Sequence, residues 1–435
     1  MHVLIFLPGL LLLLLLGCPL QVWAGPMWTL APNLRIQQEY TDNLFQSRDI
    51  RESEWITVLS AGLELQARGR GEGFSLGYRP SYSMYHEYDE YNTLRHNVNL
   101  GLWRDLRKHL TFSLNNSFTR TEQPYEPAIE DIYPEELIEF IDEDLRRGRE
   151  PRNTNTGRAR LDYRFGPRDT AYVQYSLRHE WNDNPGEEDS VHHSPTAGMT
   201  YWFSRSYGMQ VGAGYTHGRY EESENSNHWD GRVRLMRNFT KFLDGYFQYR
   251  HSHVRYSGDR SGYTVYEPSA GMTYRFARDG TMSAGVGYNI RDIQDDGYDD
   301  RFMLNANIRK TWDRRRSSFT LVGSSGYAES LLGADAQGFT IYYHGRGTYS
   351  YALRKNLDWN LNAGYRRNEY KDRTPERRDN VYSAGTGLNY RWTRHTSLGL
   401  SYDHRRVDSN IRAQEYYENR ATLSLTWRPQ GWRLN

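Results

Sequence analysis

Ala421-Thr422-Leu423-Ser424-Leu425-Thr426-Trp427 sets an apolar side chain at every second position and a small polar one between. A period of two sends alternate side chains to opposite faces, so this segment reads as a strand with one greasy side and one wet side. The pattern recurs along the chain. Phe302, Leu304, Ala306 and Ile308 alternate with Met303, Asn305, Asn307 and Arg309. Leu357, Trp359, Leu361, Ala363 and Tyr365 alternate with Asp358, Asn360, Asn362, Gly364 and Arg366. Such segments predict strand after strand from Leu34 to Trp427.

The connections between them alternate as well. Short ones fall near Gly69–Gly71, Asp105–Lys108, Gly166–Asp169, Ser204–Ser206, Thr240–Lys241, Arg278–Gly280, Asp313–Arg316, Arg354–Lys355 and Thr393–His395. Longer polar ones lie between: Gln46–Ser53, Glu87–Tyr91, Gln123–Glu150, Asn182–Val191 and Glu221–Asn227, then Ser257–Gly262, Asp292–Asp300, Ser330–Gln337, Asp372–Asn380 and Asp408–Gln414. Nine short turns and ten long loops predict 20 strands, within 18 to 22. Strict alternation with an even strand number is the pattern of an all-β, antiparallel, up-and-down barrel of the bacterial outer membrane. Trp103, Phe165, Phe203, Phe239, Phe276, Trp312, Tyr351 and Trp392 all precede short turns, the expected place of an aromatic girdle at the membrane edge.

Composition narrows the classes. The 435 residues include 35 tyrosines, 12 tryptophans and 38 glycines, an aromatic load that disordered chains lack. No second apolar stretch follows the first two dozen residues, which excludes a bundle of spanning helices. The 55 basic and 54 acidic residues leave a net charge of +1, so nucleic acid is not an expected partner. Five of the bases are lysine and the other 50 arginine.

The run Val3–Cys18 followed by Val22-Trp23-Ala24 reads as a secretory signal over residues 1–24, with the barrel over 25–435. A rival reading makes Leu15-Leu16-Gly17-Cys18 a lipoprotein site. Cleavage after Ala24 removes the one cysteine, as suits a secreted chain held together without disulfides.

Glu39-Tyr40-Thr41-Asp42-Asn43-Leu44-Phe45, followed by a polar loop and an amphipathic strand, resembles the opening of the putative β-barrel porin 2 family. The resemblance implies an outer-membrane location in a Gram-negative cell and an association with exopolysaccharide systems. It also implies a periplasmic polysaccharide-export component as partner, beside membrane lipid. It supplies no catalytic residue and no cofactor. The final strand ending at Trp427 resembles the aromatic-terminated strand that the barrel-assembly machinery recognises, although Arg428–Asn435 follow it.

If the apolar row faces lipid, the opposite row lines the lumen. It carries Arg79, Arg158, Arg160, Arg164, Arg178, Arg232, Arg234, Arg250, Arg275, Arg309, Arg346, Arg366 and Arg391. Guanidinium groups on a low-dielectric wall favour anions and grip carboxylates bidentately. The bland alternative is that each pairs with an acid on the wall. The segment Gln123–Glu150 stands apart: Leu137, Ile138, Ile141 and Leu145 recur at helical spacing amid acids. An acidic helix is expected there, outside as a cap or inside as a gate, with Glu135, Glu136, Glu139, Asp142 and Glu143 as gate candidates. No His-Glu-x-x-His or phosphate-loop motif is present, and no metal site is expected. The function read from the sequence is a pore or export channel for an exopolysaccharide or other anionic solute. A barrel-embedded hydrolase and a closed structural or adhesive barrel are the alternatives.

Overall fold

The computed structural model describes residues 27–122, 149, 151–183, 188–277, 280–294, 297–330, 338–371 and 376–434. The expected signal segment and the acidic gate candidates lie outside the described residues.

Twenty long strands run β1 (Met27–Thr41), β2 (Glu54–Arg68), β3 (Glu72–Tyr85), β4 (Thr93–Arg107), β5 (Leu110–Thr121), β6 (Arg152–Arg164), β7 (Thr170–Asn182), β8 (Ser190–Tyr201), β9 (Tyr207–Tyr220) and β10 (Ser226–Asn238). They continue as β11 (Leu243–Tyr256), β12 (Tyr263–Ala277), β13 (Gly280–Ile293), β14 (Gly297–Arg314), β15 (Ser317–Ser330), β16 (Gly338–Arg354), β17 (Leu357–Tyr370), β18 (Arg377–Arg391), β19 (Thr396–Ser409) and β20 (Tyr416–Trp427). A three-residue β21, Trp432–Leu434, follows. Each long strand pairs antiparallel with its neighbours in the chain, and β1 pairs with β20, so the sheet closes on itself. Closure removes the two outer edges of the sheet, which limits how far so β-rich a chain can aggregate, although β14 pairs with β15 only from Asn307↔Ser324 to Arg314↔Ser317. Among the described residues there is no α-helix.

Several boundaries differ from the sequence reading; Arg377–Asn380, expected in a loop, pair with β17 as the start of β18. The barrel begins at Met27 rather than Leu34, because Met27–Asn33 pair with Arg68–Gly62. On the other side of β1 the ladder breaks between Leu34↔Trp427 and Leu30↔Trp432, at a stretch holding Pro32, which has no amide hydrogen to give. The β13–β14 connection, expected to be long over Asp292–Asp300, shrinks to residues 294–296. Ile293 pairs with Gly297, whose φ of +89° suits glycine and lets the chain reverse sharply.

One row of each strand exposes large apolar side chains: Trp55, Leu59 and Leu63 on β2, Leu76, Tyr78 and Tyr82 on β3, Phe247 and Tyr249 on β11. The other row faces the interior. Phe339 and Ile341 of β16 pack with Val254, Tyr263 and Val265 of β11 and β12, a contact that crosses the inside of the barrel. Apart from Ala67, the buried apolar side chains lie toward the long-loop end, among them Leu44, Ile56, Val58 and Tyr85 in one group and Val381, Val407 and Tyr416 in another. The interior is therefore packed at the long-loop end and solvated toward the short turns.

Seven of the eight expected girdle aromatics keep to the outward row at the short-turn end; Phe203 and Trp392 are 57% and 62% exposed. Trp103 departs. It takes the inward row and lies over Gly73, because Leu100 and Leu102 already fill the outward positions of β4 opposite Leu76 and Phe74.

Candidate functional site: an arginine-lined interior

Register puts the predicted arginines on the inward row of their strands, opposite the exposed apolar row; Arg309 holds the register position facing Val322. Height sorts them. Arg79, Arg158, Arg178, Arg232, Arg250, Arg346 and Arg366 stand six to nine residues above the short-turn ends of their strands. Arg35 of β1 and Arg420 of β20, which strand alternation did not single out, stand at the same level. This belt runs round the wall beneath the packed long-loop end. Arg160, Arg234 and Arg309 sit a little lower, and Arg164, Arg275 and Arg391 close to the short turns.

Several of these guanidinium groups are held by acids on the wall. Arg160 Nε donates to both carboxylate oxygens of Asp162 at 2.9 Å, two residues on along the same row. Arg178 reaches Glu180 at 3.0 Å in the same way, Arg275 pairs with Asp244, and Arg391 lies 3.7 Å from Asp358. Arg366 donates to Asn368 at 2.8 Å and Arg234 to Gln248 at 2.8 Å, both neutral partners. Arg158, Arg250 and Arg346 are engaged as well. Among the described residues, the side chains of Arg79, Arg164 and Arg232 make no hydrogen bond or ion pair. The wall is thus part neutralised and part open to an anion.

Tyrosines, which strand periodicity alone does not mark, shape the same surface. The Arg160 guanidinium lies 3.9 Å from the Tyr172 ring centroid, Arg234 4.5 Å from that of Tyr246, and Arg366 5.9 Å from that of Tyr342. Stacking on a ring fixes the plane of the guanidinium and leaves its edge to bind.

Above the belt, the segment that begins β1's long loop docks inward. Thr41 Oγ1 donates to Glu418 at 2.8 Å, Asn43 Nδ2 donates to the Tyr417 carbonyl at 2.8 Å, and Gln46 Nε2 donates to Glu418 at 3.1 Å. Glu418 also accepts from Arg420 at 2.8 Å. The two described residues that flank the acidic insert are both buried: Glu122 is 1% and Arg149 2% exposed. Arg95 Nε donates to Glu122 at 2.8 Å, Tyr85 donates to it at 2.9 Å, and Arg149 Nη2 donates to the Leu44 carbonyl at 2.8 Å. Burial alone would raise the Glu122 carboxyl. Arg95, the Tyr85 hydroxyl and its own amide outweigh that and hold it below the usual carboxylate value.

Among the described residues, His228 Nε2 and Ser252 Oγ lie 2.8 Å apart, but Ser252 has no exposed surface, so the pair is a hydrogen bond within the wall rather than a presented nucleophile. Among the described residues no group of three or more His, Cys, Asp or Glu could hold a metal.

A closed antiparallel barrel of this kind is the outer-membrane barrel fold. The family described as Putative beta-barrel porin 2 matches residues 307–429, from the lower part of β14 past the end of β20. The Glu39–Phe45 motif lies outside the matched part. No curated protein matches the sequence. Among solved structures, the ferric enterobactin receptor PfeA of Pseudomonas aeruginosa (mutant R480A, in complex with enterobactin) superposes with a TM-score of 0.53 at 10% identity, covering 94% of this chain and 82% of that one. The siderophore receptor PirA of Acinetobacter baumannii gives 0.51 at 9% identity, covering 92% and 80%. OpdQ of P. aeruginosa superposes more loosely, at 0.42 and 12% identity, over 93% and 99%. The likeness to PfeA and PirA describes the fold alone.

Proposed function

We propose that this barrel resides in the bacterial outer membrane and conducts an anionic solute, an acidic exopolysaccharide in the outward direction. The observation that carries the reading is the arginine belt. It is set on the inner wall at mid-height, neutralised in part where Glu180 meets Arg178 and Glu418 meets Arg420, and open at Arg79 and Arg232. Outward apolar rows and aromatics at the short-turn rim support the location. The family match over 307–429 supports a porin-like role. The interior is solvated at the short-turn end, which would face the periplasm, so solute would enter there.

In the same reading the acidic segment between Glu122 and Arg149 controls passage. The support is that both flanks are rooted inside the barrel rather than on its rim. Planar-bilayer recordings under a KCl gradient test the whole: the expected reversal potential is that of an anion-preferring pore. Deleting 126–147 is expected to raise conductance and strengthen that preference. A correctly inserted barrel that passes no current, or that prefers cations, overturns the reading.

A further inference from the structure

On the outer wall of β9–β11 the apolar band has a marked upper edge. Phe239 at the short-turn rim and Trp229 of β10 above it are both exposed on the outward row, ten positions apart, with Leu235 and Val233 between them. About nine to eleven residues carry a tilted strand across a bilayer, so the two rings bracket one crossing and Trp229 stands at the far headgroup boundary. Its ring centroid lies 4.2 Å from that of Tyr215 on β9, whose hydroxyl donates to Asn227 at 2.7 Å. One step higher on the same row, the register lines up His217, Asn227 and Arg255 across β9, β10 and β11. His217 Nδ1 lies 2.9 Å from Asn227 Oδ1, and Arg219 stands two positions above His217.

Elsewhere along this rim, outward arginines are clasped by acids. Arg120 reaches Asp183 at 2.6 Å, Arg367 reaches Glu369 at 2.7 Å and Arg406 reaches Asp408 at 2.7 Å. Arg219 and Arg255 differ. Both are exposed, on the outward rows of Tyr207 and Phe247, and among the described residues neither side chain makes a hydrogen bond or ion pair. Asp259, in the loop after β11, pairs with neither. Other loop carboxylates nearby are engaged by backbone: Glu224 accepts from the amide of Arg260 at 3.2 Å, and Glu188 from those of Glu222 and Ser223. Two strand spacings, about 10 Å, separate β9 from β11, so the two arms can converge on one phosphate above Asn227. The guanidinium fork matches phosphate oxygens with two parallel N–H donors.

We propose that Arg219 and Arg255, with Asn227 between them and Trp229 beneath, form an outer-wall site for the phosphomonoester headgroup of an outer-leaflet lipid. The arginines meet the phosphate at the height where headgroups lie, and the Trp229 and Tyr215 rings pack against the chain below it. A soluble anion would meet the same guanidinium groups and gain nothing from the rings, so the lipid is the occupant assigned. The site goes beyond the channel reading and shares with it only the membrane location.

The test is binding of dioleoylphosphatidic acid to the detergent-folded full-length barrel, read by native mass spectrometry, with dioleoylphosphatidylcholine as control. The wild type is expected to prefer phosphatidic acid. Arg219→Gln and Arg255→Gln should each weaken that binding about tenfold, the worth of a charged hydrogen bond, and the double variant should weaken it further. Arg406→Gln removes an exposed arginine that Asp408 already clasps, and should leave affinity unchanged. Heat-modifiable migration confirms that each variant is folded. Equal affinity for the two lipids in the wild type, unchanged affinity in the double variant, or an equal loss in Arg406→Gln overturns the proposal. So does displacement of the lipid by equimolar inorganic phosphate, which would mark a site for any small phosphate. Binding is read without current. A barrel that binds the lipid yet conducts nothing sinks the channel reading alone, and one that conducts without lipid preference sinks this proposal alone.

Discussion

Asp42 accepts two hydrogen bonds from Asn419, one from its backbone amide at 2.8 Å and one from its side-chain amide at 2.7 Å, across 377 positions of chain. Thr41 and Asn43 make their own bonds to Glu418 and Tyr417, so the motif Thr41-Asp42-Asn43 bolts the first strand to the twentieth.

Asp42→Ala should therefore weaken the seam, by about 1–3 kcal/mol for the lost charged acceptor. The temperature at which the folded band converts to the unfolded one in detergent gels is expected to fall. Asn419→Ala should lower it too, and the double variant should cost less than the sum, since both remove one interaction. Full additivity would show that the two residues act separately.

Glu122 gives a pH dependence with a definite sign. Its folded value lies below the ordinary 4.5, so the carboxylate stabilises fully above that pH and ceases to as pH falls through the folded value. Glu122→Gln strips a buried partner from Arg95 and is expected to cost about 3–5 kcal/mol at pH 7. Unfolding midpoints measured at pH 7 and pH 3 should show the gap between wild type and variant narrowing in acid. A gap that stays constant would contradict the assignment.

Gly198 and Gly271, each beneath a tyrosine of the preceding strand, should respond unequally to a methyl group. At Gly198 the three atoms nearest an added Cβ all belong to the Tyr172 side chain, the first at 2.6 Å, and that side chain can swing away. At Gly271 it meets the Tyr246 ring at 2.5 Å and also the Ala284 carbonyl at 2.7 Å, which is backbone within a ladder. Gly271→Ala is expected to lose about 1–3 kcal/mol and Gly198→Ala less. Thermal midpoints of the two variants compare them directly.

Trp392 reports membrane depth. It is 62% exposed on the outward row beside a short turn, where indole rings settle at the headgroup boundary. In a variant keeping Trp392 as its single tryptophan, lipids brominated near the headgroup should quench fluorescence more than lipids brominated at the chain terminus. The reverse order would place this rim at the bilayer centre.

Much of the fold was legible because a half-lipid, half-water wall enforces a period of two on every strand. The twenty strands could be counted from Gly, Asp and Asn at the turns. The local signal failed at Asp292–Asp300, where a polar run looks like a loop yet Ile293 pairs with Gly297 and Asp292 with Tyr298. It failed again at Met27–Asn33, where Pro32 disguises a strand that pairs on one side. The inward row of arginines was legible for the same reason as the strands. Which of them are clasped was not, because Tyr172 on Gly198 and Arg234 on Gln248 depend on cross-strand register, which periodicity leaves undetermined.

The seam at β1 and β20 also sets an order of events. Apart from the short β1–β21 pairing beside it, every other ladder joins strands adjacent in the chain, so each hairpin can zip as soon as its second half arrives, with little loop entropy to overcome. Joining Asp42 to Asn419 must wait until nearly four hundred residues have been delivered. Until then both edge strands stand open in the nascent sheet. Open edges of that kind are the ones that pair with other chains, so the interval before the last ladder forms is also the one most exposed to mispairing.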